Sequence, residues 1–198
     1  MRARLLGGLT ALGMAVFLTV AVLCMAGAAT AYAQEPTDEQ VNVDQARITL
    51  KAFMDDPDMV WFRDSLKDAA GIIIVPAFYK AGFFLGGAGG NGVYLARDRE
   101  TGVWRGPAFV NIGEASFGLQ IGASKSEVVV LAMNRSAAEK LYSSSVKLGA
   151  DFSIAVGPVG AGAEGALAPV PTAAFVSFIK SEGAYIGLAL EGAVIGIE

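Results

Sequence analysis

The stretch "GIIIVPAFYKAGFFLGGAGGNGVYLAR", residues 71–97, decides the fold. Upstream of Gly71 the apolar residues recur at helical spacing; downstream they run unbroken or fall at every second position. A period near 3.6 lines one face of a helix, and a period of 2 lines one face of a strand. Gly71-Ile72-Ile73-Ile74-Val75-Pro76 reads as a short buried strand stopped by its proline. Phe83–Leu85 and Val93–Arg97 read as strands on either side of a Gly-Gly-Asn-Gly turn, with Asn91-Gly92 supplying the positive φ angles of a type I′ hairpin.

Toward the C-terminus the alternation persists. Phe117, Leu119, Ile121 and Ala123 alternate with Gly118, Gln120 and Gly122. Val146, Leu148, Ala150, Phe152, Ile154 and Val156 alternate with small or polar residues, and Ile186, Leu188 and Leu190 repeat the pattern. Six or more half-buried strands follow. Ser136-Ala137-Ala138-Glu139 is a capping box that opens a short helix to Tyr142. Gly118, Gly122, Gly149, Gly157 and Gly187 recur on the non-core face, which implies strong coiling of the sheet or a glycine-floored groove for a ligand.

Toward the N-terminus, Ala46, Leu50, Phe53 and Met54 predict a helix over Asp44–Met54. Asp55-Asp56-Pro57-Asp58 stops it and caps a second helix over 58–70, whose stripe is Met59, Phe62, Leu66 and Ala69, with Trp61 at its edge. Helices at the front and strands behind, without regular alternation, predict an α+β domain over 44–198. Its N-terminal helices pack on a strongly coiled, mainly antiparallel β-sheet or partly closed barrel. Residues 34–43 are polar and acidic and read as a flexible leader.

The first 33 residues differ in kind. Arg2 and Arg4 precede an apolar run from Leu5 to Ala29, and Ala31-Tyr32-Ala33 places small residues at −3 and −1 of a cleavage site before Gln34. That order is a secretory signal peptide, so the domain is expected outside the cytoplasmic membrane, in the periplasm or beyond. The run is also long enough for a retained membrane anchor. Leu23 before Cys24 argues against a lipoprotein site.

Composition then narrows function. The chain has no histidine, and its one cysteine, Cys24, lies in the signal segment. Zinc and copper centres, disulfides and histidine-based acid–base catalysis lose their side chains, so no metal, no cofactor and no catalytic residue is expected. Without Arg2 and Arg4, 13 basic residues face 19 acidic ones. An acidic exterior argues against nucleic acid as a partner.

The motifs that remain are weak on their own. Gly87-Ala88-Gly89-Gly90-Asn91-Gly92 and Gly160-Ala161-Gly162-Ala163-Glu164-Gly165 both match G-x-G-x-x-G, but neither opens a helix, which a pyrophosphate site needs. Both read as turns or loops. Ser124-Lys125-Ser126 reads as a solvated turn rather than a Ser–Lys nucleophile, and Asp55, Asp56 and Asp58 read as helix caps rather than ligands of a hard cation. Aromatic and basic residues together suggest more. Trp61, Phe62, Phe78, Tyr79, Lys80 and Phe83 combine rings suited to an apolar–polar boundary with a cation for a phosphate headgroup. The same residues are also read as core aromatics with a snorkelling lysine.

Four blocks carry a family resemblance: "KDAAGIIIVPAFYKAGFFLGGAGGNGVYLARD" (67–98), "SFGLQIGASKSEVVVLAMN" (116–134), "SVKLGADFSIAVGPVG" (145–160) and "SEGAYIGLALEGAVI" (181–195). In this order they resemble the SYLF domain, shared by exported bacterial proteins and by eukaryotic actin-patch and phosphoinositide-binding proteins. The resemblance implies binding to membrane lipid, anionic phospholipid included, and in eukaryotic members to filamentous actin. Lys80 and Gly82 in "YKAGF", and Lys147, Gly149 and Asp151 in "SVKLGAD", are the positions it carries over. The helices over 44–70 mix Asp55, Asp56, Asp58, Asp64 and Asp68 with Arg47, Lys51, Arg63 and Lys67, unlike a basic amphipathic helix. A non-catalytic lipid-binding envelope protein is the leading expectation, with Lys80, Lys147 and the aromatics as contacts. A structural module with an envelope protein partner is the alternative.

Overall fold

The computed structural model describes residues 35–82, 85–117, 122–157, 172–182 and 190–198. The expected signal segment, Phe83, residues 118–121, the second glycine-rich stretch 160–165 and the alternation at 186–188 fall outside these ranges. Within residues 37–198, helix α1 (Asp38–Asp55) begins inside the stretch expected to be a flexible leader. Thr37 is the cause: its hydroxyl accepts the Gln40 N–H at 3.3 Å, and Asp38 and Glu39 place negative charge in the first turn. The polarity there is capping chemistry. Asp56 opens a 3₁₀ turn at Pro57–Met59 by accepting the Asp58 N–H at 2.9 Å, and α2 follows over Val60–Asp68.

The strands are β1 (Gly71–Gly82), β2 (Leu85–Arg97), β3 (Trp104–Phe117), β4 (Gly122–Ala132), β5 (Val146–Lys147), β6 (Ile154–Val156), β7 (Phe175–Glu182) and β8 (Val194–Ile197), with helix α3 (Arg135–Ser143) between β4 and β5. They form one sheet in the order β5-β8-β3-β2-β1-β4-β7-β6, antiparallel except at β6–β7. The expected α+β architecture holds, with a curled half-barrel sheet. The edge strands β5 and β6 have only two and three residues.

Pro76 does not stop β1. Two residues, Pro76 and Ala77, stand opposite the single Glu127 of β4, so the strand bulges there and continues. A bulge tolerates a residue without an N–H. Nor is there a turn at Asn91-Gly92, because β2 runs through the whole glycine-rich stretch and Asn91 pairs with Asn111. The glycines serve the bulge. A Cβ on Gly92 would sit 2.2 Å from the Ile74 carbonyl oxygen, and one on Gly90 would sit 2.4 Å from that of Ala77. Asn91-Gly92 is thus a close-approach signal mistaken for a turn signal.

Three further readings change. Ser124-Lys125-Ser126 lies in β4, paired with Lys80, Tyr79 and Phe78, rather than in a turn. Asn134, not Ser136, caps α3 by accepting the Ala137 N–H at 2.9 Å. The run 145–156 breaks into β5 and β6 because Gly149 adopts φ +82° in the turn between them.

Each face of the sheet carries its own core. On the outer face, α1, the 3₁₀ turn and α2 deliver Phe53, Met59 and Phe62 onto Ile72, Ile74, Val93, Val129, Leu131 and Phe178. Phe62 links them, edge-on to Phe53 at 5.5 Å and to Phe178 at 5.3 Å. On the inner face, Ile73, Val75, Phe78, Tyr94, Val110, Ile112, Val128 and Val130 pack with Leu141 of α3. Burial on both sides explains the unbroken Ile72–Val75 and Val128–Leu131 runs.

Candidate functional site

The bulge decides where Lys80 points. Ile72 and Ile74 face the helices while Ile73 and Val75 face inward. Strict alternation would turn Phe78 outward, but the extra residue at Pro76–Ala77 resets the parity and turns Phe78 inward. Lys80, two residues on, follows it. Tyr79 faces out beside α1 and is 58% exposed.

Below Phe78 the inner face changes character at one level on several strands. Ile112 is followed two positions later by Glu114, and Val128 is preceded by Ser126 and Ser124. Ile179 is followed by Ser181. Lys80 lies opposite Ser124 on one side and Ala88 on the other, and Ala88 lies opposite Glu114. Small Ala88 lets the Lys80 side chain cross β2 to Glu114, leaving Nζ 3.6 Å from Oε1. The two side chains are only 12% and 9% exposed. Ser126 and Ser181 share a hydrogen bond of 2.9 Å.

This layer is incompletely satisfied. The Lys80–Glu114 separation exceeds hydrogen-bond length, so the pair has Coulomb attraction without a bond. Among the described residues Glu114 Oε2 and Ser124 Oγ are buried without a hydrogen-bond partner, and Ser124 is 7% exposed. A buried polar atom left unpaired costs roughly 1–3 kcal/mol, more when charged. Buried polar groups left unpaired call for an explanation, and a bound group is one. What they offer is a cation with free N–H donors, a hydroxyl and a carboxylate oxygen.

The other expected contact residues do not converge here. Phe62 and Phe78 are fully buried core rings on opposite faces, so their hydrophobicity serves packing rather than a surface. Trp61 is partly buried on α2 and lines a pocket of about 530 Å³ with Asp64, Asp68 and Asn134. Lys147 is exposed in β5 at one end of the sheet order, where its own N–H donates to Asp151 at 2.7 Å. Phe83 lies outside the described residues. Of the expected set only Lys80 belongs to the polar layer. Sequence reading passed over Glu114 and Ser181, and it took Ser124 and Ser126 for a solvated turn. Their signal was present as a period-2 stripe, Ser124-Ser126-Val128-Val130, running from polar to apolar.

Tyr79 borders a second feature, a groove of about 530 Å³ between α1 and the bulge. Asp38, Glu39 and Glu198 line it, with no basic residue among the described residues, around Val41, Pro76 and Phe109. Hydrogen bonds with its own backbone and with Thr37 hold the Glu39 carboxyl below its ordinary value. The groove is therefore acidic at neutral pH. Among the described residues no three His, Cys, Asp or Glu side chains are grouped to hold a metal, and no helix is long and apolar enough to cross a membrane.

Residues 113–198, which begin at the Glu114 end of β3 and reach β8, match the family described as "Ysc84: Las17-binding protein actin regulator". The chain belongs to the SYLF domain family. It is 33% identical over 138 residues to SH3 domain-containing YSC84-like protein 1 of Xenopus laevis, covering 69% of this chain and 40% of that protein. The human protein of the same name is 31% identical over 140 residues, 70% of this chain and 40% of its own length. LAS seventeen-binding protein 3 of Saccharomyces cerevisiae is 33% identical over 142 residues, 70% of this chain and 30% of its own. The SYLF chain described here thus spans two fifths or less of these curated relatives. No solved structure matches it. The family is one of binding and regulatory domains.

Proposed function

We propose that this SYLF domain is a non-catalytic, exported envelope protein that binds membrane lipid through the polar layer inside its curled sheet. One observation carries the reading: a central-strand lysine, its carboxylate partner and a serine are buried together with unpaired oxygens, at the level where the inner face turns from apolar to polar. An amphiphile has that same polarity profile. The leader over 1–33 supports delivery to the envelope, and the lack of histidine and of a mature cysteine supports contact rather than bond-making.

Vesicle flotation with the full chain tests it. Wild type is expected to float with lipid vesicles, and Lys80→Gln to float at least fivefold less. Since both proteins carry the same leader, a leader effect cancels; equal flotation of the two would reject the assignment.

A second reading is favoured by the acidic groove at Tyr79 together with the family's description as a Las17-binding actin regulator. In it, α1 and β1 dock a basic segment of a protein partner. Loss of partner capture on Tyr79→Ser, with vesicle flotation intact, would support that reading.

A further inference from the structure

The charge balance of the polar layer narrows the lipid. Lys80 and Glu114 cancel, so the layer as a whole offers no net positive charge. A purely anionic headgroup placed against Lys80 would bring its charge close to the buried Glu114 carboxylate, and like charges in a poorly solvated site repel strongly. The unpaired atoms ask for two things at once. Lys80 has N–H donors beyond its long contact with Glu114, and Ser124, opposite Lys80 in the β1–β4 register, adds a hydroxyl. These suit phosphate oxygens. Glu114 Oε2 is a buried acceptor with no donor, and it suits a cationic N–H. Glu114 stands three strands from Ser124, with β2 and β1 between them and Lys80 on β1, so the acceptor and the phosphate side are laterally offset.

From this we infer that the site selects a zwitterionic phospholipid headgroup whose cation carries N–H groups, as in phosphatidylethanolamine. The phosphate meets Lys80 and Ser124, and the primary ammonium donates to Glu114. The inference rests on the lipid-binding reading and deepens it. Phosphatidylcholine separates hydrogen bonding from charge: its trimethylammonium is equally cationic but has no N–H for Glu114. Phosphatidylglycerol separates charge from shape, because it keeps the phosphate and has no cation.

The test is flotation and titration of the full chain against neutral carrier vesicles containing phosphatidylethanolamine, phosphatidylcholine or phosphatidylglycerol. Apparent affinity is expected to be about tenfold higher for phosphatidylethanolamine than for phosphatidylglycerol, with phosphatidylcholine between them, the scale of one charge-assisted hydrogen bond. Glu114→Gln is expected to remove most of the ethanolamine-over-choline preference, and Lys80→Gln to weaken binding of both. Soluble glycerophosphoethanolamine, added to wild type alone, is expected to raise the melting temperature where glycerol phosphate does not, which keeps the test free of any variant that misfolds. Equal or tighter binding to phosphatidylglycerol, or an ethanolamine preference that survives Glu114→Gln, overturns the inference and leaves lipid binding standing. Failure to bind any vesicle overturns both.

Discussion

Lys180 and Lys80 sit on opposite faces of one sheet, each with a carboxylate partner, and their surroundings differ sharply. Lys180, on the outer face, holds Asp56 at 2.7 Å, donates to the Ala52 carbonyl at 3.1 Å and lies 5.2 Å from the Phe53 ring centre. It ties β7 to the end of α1, and every contact serves the fold. Lys80 is more buried than Lys180, 12% against 28%, yet reaches its carboxylate only at 3.6 Å. Beside it two polar atoms have no partner. Burial normally demands better pairing, not worse. The difference separates a lysine tied into the fold from one whose pairing is incomplete.

The largest effect is expected where the bulge is attacked, because the bulge assigns Lys80 to the inner face. Gly92→Ala drives a methyl into the Ile74 carbonyl and is expected to cost about 3–5 kcal/mol or to prevent folding, read by urea denaturation. Next comes Lys180→Met, which strands Asp56 and the Ala52 carbonyl and is expected to lower the melting temperature by roughly 5 °C. The double change Lys80→Met with Glu114→Leu should do the reverse: replacing a poorly paired buried ion pair by apolar side chains is expected to leave stability unchanged or raise it by about 1 kcal/mol. Lipid flotation should be lost. A marked destabilisation by that double change would put the two lysines in one structural class and dissolve the contrast.

Acid sharpens the outer half of the comparison. The Asp56 carboxyl is held below its ordinary value, first by the Lys180 hydrogen bond and then by the Asp58 N–H. A depressed native pKa adds stability above the unfolded value of about 3.9 and loses it as the pH falls through the native value. The stability gap between wild type and Asp56→Asn is therefore expected to be full at pH 7 and to close below about pH 4, by urea melts at stepped pH. The smallest effect belongs to Tyr79→Ser. At 58% exposure it is expected to change stability within about 0.5 kcal/mol and to leave flotation untouched, since Tyr79 points away from the polar layer.

Much of the fold could be read directly. The switch of period at Gly71, the helices ahead of it and the Ser124–Val130 stripe all follow from alternation, which is local. Glycines were the weak point. Asn91-Gly92 has the chemistry of a tight turn, and only the approach of β1's carbonyls shows that it lies mid-strand. Thr37-Asp38-Glu39 looked like a polar leader because capping residues and disordered residues share a composition. For the site, Lys80 was legible as a cation among aromatics, but Phe78 and Tyr79 flank it on a pleated strand and were bound to separate.

Residue order alone determined that this protein alternates into a glycine-rich sheet behind two helices and that imidazole and thiol chemistry are missing from residues 34–198. The tertiary structure decided what Lys80 faces. One extra residue at Pro76–Ala77 resets a period-2 register, and pairing across β2 and β3 then brings Glu114 to it from 34 positions along the chain. Alternation is a property of neighbours in sequence; a bulge and a cross-strand partner are properties of neighbours in space, and they alone place a charge beside its counter-charge.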